Sequence, residues 1–268
     1  MRGAVRSELL KFFTTRVWWG MAIALFVAGA AFALLFGILF TSETLAEQAG
    51  GPGGLPSGDP LQVANSVYTA GLTVGYLLML CIGVLQIGTE YRHQTLSATF
   101  LATPRRTRAM LAKVLSLLVI AAGYGVLSLL GSVSVGALVL NLRGAEAFPS
   151  TEVLRTLALS LLVLGLWALI GLGLGILIPN QVAALMIGVG VAWIVEPLLG
   201  LAIKASDLGR EHVAPLMPTE ATNAVVNAVQ SSPDDVRLSW WAAALVLAGW
   251  AALLTVPGIW RTVHQDVT

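Results

Sequence analysis

Ionisable side chains inside long apolar stretches are the residues of this chain best placed to do chemistry. Glu196, followed by Pro197, is the clearest, because an acid at the centre of a membrane span costs about 2.5 to 3.5 kcal/mol and usually faces a cavity or a partner. Counting from Gln181 at about 1.5 Å per residue places Glu196 about 23 Å into a hydrocarbon layer of about 30 Å, nearer its outer surface. Two roles stay open: a gate or substrate path, or a structural role where Pro197 ends or kinks the helix.

The residues that enzymes, metal sites and nucleotide sites need are not found in a suitable pattern. The three histidines are scattered without metal-ligand spacing, so we expect no metal site. Paired acids, a histidine cluster and an activated nucleophile are missing from the apolar stretches, which argues against an intramembrane enzyme. Lys11, Lys113 and Lys204 are the only lysines, and none follows a glycine as a Walker A loop requires. We therefore expect a chain that binds no cofactor and is not itself an enzyme.

The charged segment 90–113 is the second candidate for function. A short helix over 95–103, stopped by Pro104, would expose Leu96 and Phe100 one turn apart, flanked by charge. This pattern predicts a docking surface for a cytoplasmic protein. The alternative is a basic loop that only fixes the orientation of the chain in the membrane.

Composition indicates the elements that carry these residues. Charged residues are 11% of the 268, against about 25% in a soluble domain, and the mean hydropathy is +0.84. The sequence predicts one all-α polytopic membrane domain over 1–268, and a net charge of +1 gives no reason to expect nucleic acid as a partner. Six apolar stretches reach the ~20 residues that a spanning helix needs. They cover roughly 17–40, 65–89, 113–140, 156–178, 181–203 and 239–260.

Basic residues predict the orientation, since Lys and Arg near span ends stay on the cytoplasmic side. Ten of the fifteen lie before span one, after span two or after span six, which places both termini in the cytoplasm. The break 178–181 between spans four and five predicts a tight cytoplasmic hairpin. The long loop 204–238 then lies outside, and we expect a re-entrant segment in the outer leaflet between spans five and six.

The first sixteen residues predict a separate helix. Val5, Leu9, Phe12 and Phe13 recur at helical spacing, and the opposite face is polar. Such a helix would lie in the headgroup region with its bases facing anionic lipid. A solvated basic tail is the alternative.

Two stretches of this sequence resemble the bacterial type-2 ABC (ATP-binding cassette) transporter permeases. The first is Glu90-Tyr91-Arg92 with Thr95-Leu96, Ala102 to Arg106 and Ala112-Lys113, which is similar to the first cytoplasmic loop of that family. The second runs from Ser7 to Lys11 and on through Trp19, and it is similar to the family's N-terminal helix. With six spans and a long outer loop before the last, the resemblance extends over essentially the whole chain.

The resemblance implies the membrane subunit of an exporter in the bacterial cytoplasmic membrane. Two permeases, as a homodimer or with a paralogue, would bind two ATPase subunits that hold ATP and magnesium. Alternating access would move a hydrophobic or amphipathic substrate such as a drug, lipid or peptide outward. The loop after span two would be the coupling helix, and matching positions suggest coupling roles for Glu90, Tyr91, Arg92, Thr95, Pro104, Arg105 and Arg106.

An ion-coupled secondary carrier is the alternative from another class. Such a carrier normally has several ionisable residues within its spans, where they bind the coupling ion. Glu196 alone meets that description in this sequence.

Overall fold

Our computed structural model of the chain describes residues 1–42, 60–95, 99–101, 105–226 and 237–264, and the regular elements within these ranges are all helical. The α-helices are α1 (Arg2–Phe13), α2 (Val17–Thr41), α3 (Pro60–Thr69), α4 (Leu72–Arg92), α5 (Arg106–Leu142), α6 (Glu152–Leu177), α7 (Gln181–Gly190), α8 (Glu196–Lys204), α9 (Pro218–Val225) and α10 (Trp240–His264).

Six helical segments are long and apolar enough to cross a membrane. Four are the single helices α2, α5, α6 and α10, and two are composite: α3 with α4, and α7 with α8. The fold is therefore an all-α polytopic membrane protein, as the sequence predicts. The second and third spans begin earlier than predicted, at Pro60 and Arg106, because the polar residues of their first turns are helical too.

Helix α6 lies at the centre of the bundle, where it packs against α4, α5 and α10, while α2 packs against α5. Glycines permit the closest of these approaches. A methyl group at Gly171 of α6 would overlap the carbonyl oxygen of Leu80 in α4, and one at Gly83 of α4 would overlap that of Ala168 in α6. The two helices thus touch backbone to backbone, a packing mode that membrane bundles use widely.

The fifth span stays helical through Pro197. Its backbone runs from Gln181 to Lys204 by way of one π-helical turn, Val191–Val195, which directly precedes α8. Proline removes one amide donor and crowds the carbonyl of the preceding turn, and a wider π turn relieves that crowding. The sequence left open whether Pro197 ends or kinks the helix. The helix does not end there.

Spans four and five form the predicted hairpin. Helix α6 ends at Leu177 and α7 begins at Gln181, and the side chain of Asn180 accepts hydrogen bonds from the amides of Val182 and Ala183, each at 3.1 Å. An Asn N-cap of this kind satisfies amides that the helix start leaves open. This turn lies at the same end of the bundle as α1, the α4–α5 connection and the last turn of α10. We call this end the basic end.

Between the fifth and sixth spans, short helical turns cover Gly209–Val213 and Ala214–Leu216 before α9. Helix α9 packs against α10 and α6 at the end of the bundle opposite the basic end. The re-entrant placement of this segment in the outer leaflet stays a prediction.

Candidate functional site

Four ionisable side chains from three helices meet at the basic end, and we call them the charge cluster: Glu8 and Lys11 of α1, Glu90 of α4, and Lys113 of α5. The Lys113 ammonium lies 2.7 Å from a carboxylate oxygen of Glu8 and 2.7 Å from one of Glu90. The Lys11 ammonium lies 2.7 Å from Glu8 and 2.8 Å from Glu90. Each lysine therefore bridges both carboxylates, and the cluster is electrically neutral.

Burial separates the members of the charge cluster. The side chain of Lys113 is 0% exposed and those of Glu8 and Glu90 are 7% exposed, whereas that of Lys11 is 45% exposed. Buried charges of this kind are tolerated only when paired, because an isolated ion loses several kcal/mol of hydration. The second carboxylate oxygen of Glu90, Oε2, is buried without a hydrogen bond among the described residues.

Pairing outweighs burial in setting the protonation of the two α1 members. Burial alone would raise the pKa of Glu8, but the charges and hydrogen bonds of Lys113 and Lys11 hold that pKa below its usual value. Burial alone would lower the pKa of Lys11, but its hydrogen bonds to Glu8 and Glu90 raise that pKa above its usual value. The two side chains are therefore both ionised over a wide range around neutral pH.

Helix α1 is held against the bundle by the face that carries Glu8. The residues three apart, Glu8 and Lys11, share one side of the helix. Phe12 packs edge-on against Tyr124 of α5 with ring centroids 5.9 Å apart, while Phe13 is 50% exposed. The prediction that the bases of this helix face lipid is thus wrong for Lys11, which turns toward the buried carboxylates because they outcompete water for its ammonium group.

The residues that the resemblance suggests for coupling lie in three different surroundings. Glu90 belongs to the charge cluster. Tyr91 is half-buried against the last turn of α10, beside Thr262. Exposed side chains are those of Arg92, Thr95 and Arg105. Leu96 and Pro104 lie outside the described residues.

Phe100 corrects the predicted docking surface. Its side chain is half-buried and packs against the core, and the guanidinium of Arg106 lies 5.5 Å above its ring. Arg106 also donates to the carbonyl oxygen of Val263 in α10 at 3.4 Å. The apolar side chain that the described part of this loop presents to its surroundings is instead that of Leu101, which is 83% exposed.

Sequence reasoning missed three members of the charge cluster: Glu8, Lys11 and Lys113. Two signals pointed to them. Glu8 and Lys11 form an acid and base pair at three-residue spacing in the N-terminal helix, and Lys113 lies seven residues inside the helix that begins at Arg106. A lysine at that depth needs an anion, and the pattern did not show which one.

Glu196 occupies a different place, at the end of the bundle opposite the basic end. It is 7% exposed, and its carboxylate accepts a hydrogen bond from the backbone amide of Thr219 in the first turn of α9. A carboxylate in that position accepts from an amide that has no partner within the helix. The helix dipole also stabilises a negative charge there. Glu196 thus has a structural role, and it also lines an open groove of about 450 Å³.

Comparison with protein-family models and curated proteins finds no match. No protein-family model matches the chain, and no curated protein matches it significantly. The resemblance to type-2 ABC permeases therefore rests on the residues of this chain. Within the described ranges, no group of three His, Cys, Asp or Glu side chains could hold a metal ion.

Proposed function

We propose that this chain is the membrane-spanning subunit of an ATP-driven exporter in the bacterial cytoplasmic membrane. It works with a separate ABC ATPase that binds ATP and magnesium, and it moves a hydrophobic or amphipathic substrate outward by alternating access. The basic end then faces the cytoplasm. The observation that carries this proposal is the charge cluster, because it joins the start of the α4–α5 loop to two other helices.

The charge cluster joins the loop rigidly to three helices. Glu90 lies two residues before the end of α4, Lys113 lies in the first turns of α5, and Glu8 belongs to α1, which leads into α2. Buried ion pairs resist separation, since breaking one leaves an uncompensated charge. A push on this loop by a nucleotide-dependent partner would therefore move three spans together.

The outer surface of the same loop suits a protein partner. Arg92 and Arg105 are exposed on either side of it, and Leu101 supplies an apolar contact. Exposed arginines around an apolar residue are common in protein interfaces. We infer that the ATPase docks here, and the predicted coupling roles of Arg92 and Arg105 fit that position.

A second copy of the chain, or a paralogue, completes the proposed exporter. In an 18-residue apolar stretch of each span, 22% of the residues of α2 and 22% of those of the fifth span are buried inside the chain. The corresponding share is 56% in the second and fourth spans. Those faces are free for lipid and for a second permease subunit. A dimer of two chains with two ATPases follows from the resemblance.

The alternative of an ion-coupled carrier has less support. A coupling ion is normally held by several intramembrane ionisable groups. Glu196 is the single charged side chain among the described residues of its groove, and the charges of Glu8, Glu90 and Lys113 are already paired with one another. These contacts favour transport driven by a partner ATPase over transport driven by a bound ion.

Co-expression with the ATPase encoded nearest to this chain tests the proposal. The complex is purified through a tag on the permease, and its rate of ATP hydrolysis is measured. Glu90→Gln keeps the shape of the side chain and removes its charge, so we expect hydrolysis to become independent of transport substrate. The matched control is Glu152→Gln, an exposed acid at the other end of the bundle. Failure of the two proteins to associate, or equal behaviour of both variants, would contradict the proposal.

A further inference from the structure

An open apolar groove lies between the fifth span and the centre of the bundle. Its volume is about 450 Å³, within the range of ligand pockets for molecules of drug size. Apolar side chains form most of its wall, among them those of Leu174, Ile187, Val191, Leu199 and Trp250. Ile187, Val191 and Leu199 are each about half exposed and belong to a membrane span, so the groove opens sideways toward lipid.

Glu196 supplies the single charged side chain among the described residues of the groove wall. No cation of the described residues pairs with it. The charge among the described residues that acts on it is that of Glu220, also an acid, which pairs with Lys204 at 2.7 Å. The Thr219 amide and the start of α9 favour the ionised form of Glu196 and do not neutralise it, while its burial works against the charge.

The aromatic ring of Trp250 adds a second feature that favours positive charge. Its indole N–H donates to the carbonyl oxygen of Leu216 at 2.9 Å, so the ring is held in place at the groove. The negative face of an indole attracts cations, most strongly where water is excluded. An unpaired carboxylate and a fixed indole beside apolar walls are complementary to a cation with a large apolar body.

We propose that this groove binds a hydrophobic cation from the membrane, with the Glu196 carboxylate as its counter-ion. The ligand is an amphipathic molecule with one positive charge, such as a quaternary phosphonium or a protonated lipophilic amine. The inference rests on the proposed function for its biological meaning, since it names the class of substrate that the exporter moves. The binding itself requires only this chain.

Equilibrium dialysis with the purified chain in phosphatidylcholine nanodiscs tests the proposal. The probe is tetraphenylphosphonium, and tetraphenylborate is the matched anion of nearly the same size and shape. Empty nanodiscs correct for partition into lipid. Glu196→Gln removes the charge, while its amide oxygen still accepts from Thr219, so α9 keeps its contact.

Two further variants locate the site. Val191→Trp adds bulk to the groove wall and keeps the Glu196 carboxylate, and Ile194→Trp places the same bulk on an exposed position of the same helical turn outside the groove. We expect saturable binding of tetraphenylphosphonium that weakens at least about tenfold in Glu196→Gln and in Val191→Trp. Ile194→Trp should bind like the unchanged chain.

Three results would overturn the inference: no saturable binding of tetraphenylphosphonium, equal binding of tetraphenylborate, or unchanged affinity in Glu196→Gln. The last two would identify the groove as a purely apolar site, suited to a lipid chain. Because the assay contains no ATPase, such a failure leaves the proposed coupling to an ATPase untouched. Conversely, if the chain binds the cation but never associates with an ATPase, the proposed binding site is kept and the proposed exporter function is refuted.

Discussion

The two lysines of the charge cluster allow a matched comparison of a buried and an exposed ion pair. Lys113 and Lys11 bridge the same two carboxylates, Glu8 and Glu90, at distances of 2.7 to 2.8 Å. They differ in burial, since the side chain of Lys113 is 0% exposed and that of Lys11 is 45% exposed. Substituting each by methionine keeps a long flexible side chain and removes the charge.

The expected costs differ several-fold. Removing one partner of a buried ion pair costs about 3 to 5 kcal/mol, because the charge left behind has lost its hydration. In Lys113→Met the remaining Lys11 is the sole cation for two buried carboxylates, and one oxygen of Glu90 already has no hydrogen bond among the described residues. Solvent screens Lys11, so Lys11→Met should cost about 0 to 1 kcal/mol.

Thermal unfolding of the purified chain in detergent, followed by tryptophan fluorescence, measures the difference. Lys113→Met should lower the unfolding temperature by on the order of 10 °C, and Lys11→Met by a few degrees at most. Adding Glu8→Gln to Lys113→Met should restore part of the loss, because fewer buried negative charges then remain. Equal effects of the two lysine substitutions, or no rescue in the double variant, would refute the reasoning from burial.

Two other consequences can be measured on the same preparation. Glu8 has a lowered pKa, so its contribution to stability is complete above its usual value of 4.5 and is lost as the pH falls through the lowered pKa. Lys11 has a raised pKa, so its contribution is complete below its usual value of 10.5 and is lost as the pH rises through the raised pKa. The titration of Glu8 and Lys11 should therefore change the unfolding temperature little between about pH 5 and pH 10, and a step near pH 7 that disappears in Glu8→Gln would contradict that. Gly171→Ala should destabilise the chain by about 1 to 3 kcal/mol through overlap with Leu80, whereas Gly190→Ala meets open space and should be nearly neutral; the unfolding temperatures of both variants check this, and a neutral Gly171→Ala would show that α4 and α6 separate easily.

The sequence was sufficient for the six spans because each depends on local composition. An apolar stretch must exceed a fixed length to cross a membrane, and that length can be counted. The α6–α7 turn was predictable for the same reason, since only Pro179 and its neighbours interrupt the apolar run. The π turn before Pro197 was not predictable, because a proline permits a kink, a break or a wider turn and tertiary packing selects among them.

The candidate site depended on contacts between residues far apart in the chain. Glu90 was identified from its place in the loop, but Glu8 and Lys113 are 105 residues apart and meet only when α1 lies against α5. Phe100 was expected to be exposed because helical spacing gives a face and not its direction. The depth of Glu196 in the membrane stays a prediction, and its hydrogen bond to Thr219 required the fold of the following 23 residues.

Cross-linking from the α4–α5 loop tests most directly whether an ATPase docks at the basic end. Cys81 is the only cysteine of the chain, so Cys81→Ser gives a background in which single cysteines can be placed. Leu101→Cys puts one on the exposed loop position, and Leu142→Cys puts one at the opposite end of α5, where the side chain is 76% exposed. With the ATPase encoded nearest to this chain, benzophenone-4-maleimide attached to the single cysteine and then irradiated should join the ATPase to Leu101→Cys and not to Leu142→Cys, with a yield that changes when ATP is added, because the excited ketone inserts into C–H bonds and needs no thiol on the ATPase. Equal yields at the two positions, or no product at Leu101→Cys from a complex that co-purifies, would contradict the account.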